Sequence, residues 1–187
     1  MAICLSFVAA VSPTAARPVS SDTWYVNPSD SIPLAIAAAS PRDITPPSMQ
    51  LAILLDGSGS MDASEWNTQI NGLYDAIIDP VCMPDHCVEL TVIQFAGDLP
   101  GGARTEINRT VITNSNRYSV AADVLNIIHV EGITPMEAGI KLAVDKLTNS
   151  PYFSITPRQI INISSDVGYY VVDCDATEIA RDKAIFD

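Results

Sequence analysis

Five residues in three separated segments have the chemistry to hold a cation. Asp56-Gly57-Ser58-Gly59-Ser60 supplies a carboxylate and two hydroxyls, Gly132-Ile133-Thr134 a third hydroxyl, and Asp166 a second carboxylate. An all-oxygen set of low charge suits a hard divalent ion that keeps some of its waters, magnesium more than zinc. Each piece also has a plainer reading. The Gly/Ser run is equally a turn, or a loop that opens a helix and cradles a phosphate, although no Lys follows it to make a Walker-type loop. Gly-x-Ser-x-Gly is absent in that register and the two histidines are His86 and His129, which argues against a nucleophile elbow with a triad. Thr134-Pro135-Met136-Glu137 has the spacing of a capping box, and Asp166 taken alone is a loop residue.

The elements that must position these residues follow from apolar periodicity. Leu51 to Leu55 is an uninterrupted apolar run of strand length ending on Asp56, the pattern of a buried strand in a parallel sheet. Asp62 and Glu65 have capping-box spacing, and Trp66, Ile70, Leu73 and Ile77 then repeat at helical intervals until Asp79-Pro80. Val88 to Phe95 and Arg104 to Thr113 read as two further strands joined through Gly101-Gly102, and Gln159 to Ser164 as a fourth. Ser119 to Ile128, Pro135 to Leu147 and Asp175 to Asp187 read as helices. Strands alternating with helices predict an α/β domain with a doubly wound, mostly parallel sheet, and its ligand site belongs outside the carboxyl ends of the strands. Asp56 and Asp166 both fall there.

In order and spacing, Asp-x-Ser-x-Ser at the end of an apolar strand, Gly-x-Thr-Pro before a later helix, and an aspartate closing a later strand resemble the metal-ion-dependent adhesion site (MIDAS) of von Willebrand factor A (vWA) domains. The resemblance covers residues 49–187. Glu65 to Gln69, Val92 to Phe95 and Arg158 to Asn162 look like a bacterial secreted branch of that family with no assigned function. It implies a Rossmann-like fold with Mg2+ (or Mn2+ or Ca2+) at the sheet edge. Ser58 and Ser60 would coordinate directly, Thr134 directly or through water, and Asp56 and Asp166 mostly through water. A cation so weakly neutralised takes one more oxygen, typically a carboxylate from a partner protein, so the implied function is a non-enzymatic adhesion or interaction module. Two other roles fit the same family: a substrate-coupling subunit of a larger ATPase or chelatase-type machine, and a structural surface or matrix domain. Two departures stand out. Val167 separates Asp166 from Gly168, and the family fold continues with strands and a helix past the point reached at Asp187, so a truncated sequence or a fold completed by another chain is expected.

Composition sets the surroundings. The 187 residues carry 10 Lys plus Arg against 22 Asp plus Glu, a formal net charge of −12. That field does not suit a nucleic acid or an anionic membrane surface as partner. No Lys or Arg occurs between Arg42 and Arg104, a gap that holds nine acids, so this stretch sits in a negative field. No run of about eighteen apolar residues occurs, so membrane insertion is not expected. Residues 1–16 read as a signal peptide, with an apolar stretch from Ala2 to Val11 and small residues at Thr14-Ala15-Ala16, though without a positive start; the mature protein is then secreted, periplasmic or on the cell surface. Residues 17–48 are a Pro/Ser/Ala-rich linker containing a short strand at Thr23 to Val26 and a short helix at Ile32 to Ala39, and 49–187 the domain itself. Cys82 and Cys87 are close enough to close a small loop by a disulfide, or stand as two free thiols; a zinc site with His86 lacks a second ligand pair.

Overall fold

The structure is a computed structural model that describes residues 9–10, 45–156 and 158–166. In chain order its elements are β1 (Ala9–Ala10), β2 (Met49–Asp56), α1 (Ala63–Ile78), β3 (Val88–Phe95), β4 (Ala103–Val111), α2 (Arg117–Leu125), α3 (Met136–Thr148) and β5 (Gln159–Ser164). The sheet order is β1-β5-β2-β3-β4. β5, β2 and β3 run parallel, while β4 and β1 lie antiparallel on the two flanks. The four strands expected from Leu51 onward are therefore all present, and β1 adds a two-residue pairing to the outer side of β5, inside the stretch read as a leader. The expected helix at Asp175 to Asp187, the elements at Thr23 to Ala39 and the Val167 departure lie outside the described residues.

Side-chain alternation along β2 decides the layering. Leu55 points into a core with Trp66, Ile70, Leu73 and Ile77 of α1 and Val120 and Val124 of α2. Its neighbours Ala52 and Leu54 point the other way, into a core with Ile140, Ala143 and Leu147 of α3 and Ile161 and Ile163 of β5. With helices on both faces the domain is doubly wound α/β. This explains why β2 reads as a continuous apolar run; both faces are covered at β3 too, where every residue is buried, the polar Glu89, Thr91 and Gln94 included.

α1 starts as its sequence requires. The Asp62 carboxylate accepts from Ser64 N and Glu65 N, and Glu65 returns a bond to the Asp62 N–H. It stops at Asp79, which is extended because it precedes Pro80. α2 begins two residues before the expected Ser119, since Asn116 closes a turn on the Thr113 N–H. α3 differs more. Pro135, not Thr134, occupies the cap position, and no side chain caps the helix, so the Thr134 capping box is not formed.

Cys82 and Cys87 are unbonded thiols. The Cys82 thiol donates to Asp79 Oδ2 at 3.3 Å, and that bond together with the negative charge of Asp79 holds it above the usual thiol range. His86, in the left-handed region at φ 58°, turns the chain just before Cys87, whose carbonyl is taken by Met49 N and Ser48 Oγ.

Candidate metal centre

Strand register brings the carboxyl ends of β2, β3 and β5 to one level. Asp56 pairs with Phe95, and Leu55 pairs with Ser164. Three loop segments meet at this edge and are tied together by backbone bonds: Gly57 N to Phe95 O at 2.9 Å, Gly59 N to Gly132 O at 2.9 Å, Gly97 N to Ile133 O at 2.8 Å and Asp98 N to Glu131 O at 3.1 Å. Gly132 is needed where it stands. Its φ is 107°, and a Cβ there would lie 2.7 Å from Asp98 N.

Asp56 is fully buried beneath these loops. Its Oδ1 accepts from Ser58 N at 2.9 Å and its Oδ2 from the Ser165 hydroxyl. Burial pushes the Asp56 carboxyl above the usual carboxylate range. The hydrogen bonds from Ser165 and Ser58 oppose that shift, and the Asp166 charge adds to it. Ser58 is 1% exposed and its Oγ lies 3.0 Å from Ser60 Oγ, which in turn donates to Asp166 Oδ1 at 3.0 Å. The sequence candidates Asp56, Ser58, Ser60 and Asp166 thus form one chain of contacts. Thr134 is 5% exposed and sits on the loop bonded to Gly59 and Gly97. Its hydroxyl makes no hydrogen bond among the described residues.

The donor set fits a hard cation. An octahedral ion with bonds of about 2.0–2.1 Å holds adjacent oxygens about 2.9 Å apart. Ser58 Oγ and Ser60 Oγ are 3.0 Å apart, so these two hydroxyls already stand at ligand spacing, and Asp166 Oδ1, 3.0 Å from Ser60 Oγ, lies behind them as an acceptor. Both oxygens of Asp56 are committed to holding loops, which suits a carboxylate that acts on a cation through water. No cluster of three or more His, Cys, Asp or Glu suited to a metal occurs among the described residues, Cys82, His86 and Cys87 included. The centre is built on hydroxyls instead.

Three contributors were not read from the sequence. Ser165 reaches Asp56 from 109 residues away, Gln69 Nε2 donates to the Asp56 carbonyl at 3.1 Å, and His129 Nε2 lies 3.2 Å from the Ser58 carbonyl. Only Ser165 carried a signal, as the hydroxyl beside Asp166 at the end of an apolar strand.

Fold and site together define a doubly wound α/β domain with an oxygen-only candidate cation site at the carboxyl edge of its sheet. A family model described as a protein of unknown function (DUF1194) matches residues 47–184, and the chain belongs to that family. No curated protein matches it. Among solved structures it is similar to the pilus adhesin SpaC from Lactobacillus rhamnosus GG, at 15% identity and a TM-score of 0.46 over 57% of this chain and 13% of that one. It is also similar to a von Willebrand factor type A protein from Catenulispora acidiphila, at 20% identity and 0.46 over 57% and 24%. A third is proximal thread matrix protein 1 from the mussel byssus, solved with a zinc-occupied MIDAS motif, at 14% and 0.42 over 52% and 24%. The chain therefore spans 13% to 24% of the length of these proteins. Among the described residues no helix is long and apolar enough to cross a membrane.

Proposed function

We propose that this chain is a secreted or periplasmic, non-enzymatic vWA-type module that binds a protein partner through a divalent cation at a MIDAS. The observation that carries the reading is the unbroken series from Ser58 through Ser60 to Asp166 at 3.0 Å steps, above a buried Asp56. Ser58 and Ser60 hold the ion by their hydroxyls, Thr134 joins them, and Asp56 and Asp166 act mostly through water; magnesium is the expected ion, with manganese or calcium as substitutes. Bound there, the cation supplies a Lewis-acidic position for one carboxylate oxygen of the partner.

The surroundings support a particular kind of partner. Asp98 and Glu131 are exposed beside Gly132, next to Ile133 at 65% exposure. Two acids on the rim repel a partner that is acidic overall, and an exposed apolar side chain favours a dry contact. The partner offers one local carboxylate on an otherwise neutral or basic surface. Neither histidine is placed to activate a hydroxyl: His129 faces the Ser58 carbonyl and His86 lies 3.1 Å from Asp85. This supports binding rather than catalysis.

Selection from a random displayed-peptide library in Mg2+, with elution by EDTA, tests the proposal. Recovered peptides are expected to share an Asp or Glu and to lose binding when it becomes Asn or Gln. Peptides indifferent to EDTA, or lacking an acid, would sink it.

A further inference from the structure

We propose that His129 is a positioning residue that holds the Ser58 backbone for the cation, with Gln94 and Trp66 holding His129 in turn. The inference rests on the cation-binding reading above.

Ser58 is pinned on both sides of its Cα. Its N–H is taken by Asp56 Oδ1 at 2.9 Å. Its carbonyl accepts from Met61 N at 3.2 Å and faces His129 Nε2 at 3.2 Å. A carbonyl only accepts, so Nε2 carries the hydrogen. With both flanking peptide units held, the direction of the Ser58 hydroxyl depends on one side-chain torsion alone. Pre-setting a ligand in this way is what groups behind a metal ligand do.

His129 is itself held more firmly than its place between α2 and α3 requires. Gln94, fully buried on β3, donates from Nε2 to Ile128 O at 3.0 Å and accepts on Oε1 from Val130 N at 3.0 Å. One carboxamide thus brackets His129 from both sides. The same carboxamide lies directly under the first loop, because a Cβ on Gly57 would stand 2.5 Å from Gln94 Oε1. The imidazole so presented stacks on Trp66, with ring centroids 4.7 Å apart and planes 16° from parallel. Trp66 belongs to the first turn of α1 and to the core, so the stack ties the ring to a rigid element.

Two variants of the full chain test this, His129→Leu, which loses the donor, and His129→Gln, which keeps one. Two readouts separate the causes: amide hydrogen exchange at Ser58 to Met61 in EDTA, and Mg2+ affinity by calorimetry. In His129→Leu the loop amides exchange several-fold faster, and Mg2+ binds at least about tenfold more weakly. His129→Gln returns both toward wild type. Wild-type exchange and affinity in His129→Leu overturn the inference, as does equal damage in both variants, which would assign His129 to packing alone. If the loop loosens in His129→Leu and is restored in His129→Gln while the wild type binds no Mg2+, the positioning stands and the cation reading fails.

Discussion

Asp56 and Asp85 each end or follow a structural element, yet their surroundings move their proton affinities in opposite directions. Burial raises Asp56, whereas the Asn114 N–H, bonded to Asp85 Oδ1 at 2.7 Å, lowers Asp85 with help from His86. The signs for stability are opposite too. Asp85 has a folded value below its ordinary 3.8, so its contribution is present above 3.8 and disappears as pH falls through the lowered value. Asp56 favours its neutral form in the fold, so that preference stabilises at low pH and is lost as pH rises through its raised value. In Asp85→Asn the deficit in unfolding free energy relative to wild type is expected to be full near neutrality and to vanish below the lowered value. Denaturant titrations across that range check this, and a deficit that persists in strong acid contradicts it. At this scale the candidate residues were legible in the sequence, and the fold brings four of them into one chain of contacts. Asp56, Ser58, Ser60 and Asp166 stand out because spacing and strand ends are local properties. The His129 contact spans 71 residues and the Ser165 contact 109, and only the folded sheet brings such distant groups together.

The helices show how far local signals carry. Asp62 with Glu65 and Thr134 with Glu137 have the same spacing, but only the first forms a capping box. The difference lies in the backbone at the cap. Asp62 stands extended at φ −77° and ψ 167°, as a cap requires, whereas the carbonyls of Gly132 and Ile133 just before Thr134 are tied to Gly59 and Gly97 and the helix cap falls one residue later, on Pro135. Asp62→Ala is therefore expected to cost about 1 kcal/mol of stability, as loss of a real cap does. Thr134→Val, with both variants compared by thermal unfolding in EDTA, is expected to lose no stability, because the hydroxyl of the buried Thr134 makes no hydrogen bond among the described residues. A loss near that of Asp62→Ala would restore the capping role for Thr134. Strands were the more legible elements. The apolar run of β2 reports a strand covered on both faces, and β2, β3 and β5 have the expected extents to within two residues at either end.

For the whole molecule, the net charge of −12 turns from a reason to set nucleic acid aside into part of the site's surroundings. The stretch without Lys or Arg, from Arg42 to Arg104, contains β2, α1 and β3 and therefore the first loop of the candidate centre. Its field draws in a cation and disfavours an acidic partner. The doubly wound layering places every proposed ligand at one edge, away from the two hydrophobic cores that stabilise the domain. Binding can then be removed without removing the fold. Ser58 Oγ and Ser60 Oγ partner one another, and the Asp166 oxygen that Ser60 also serves belongs to a half-buried side chain within reach of water, so deleting both hydroxyls is a change of small cost to folding. Calorimetric titration of the full chain with Mg2+ is the most direct test. The account predicts saturable one-site binding in the wild type and its loss in the Ser58→Ala, Ser60→Ala double variant at unchanged metal-free stability; wild-type affinity in that variant, or no saturable heat in the wild type, would contradict it.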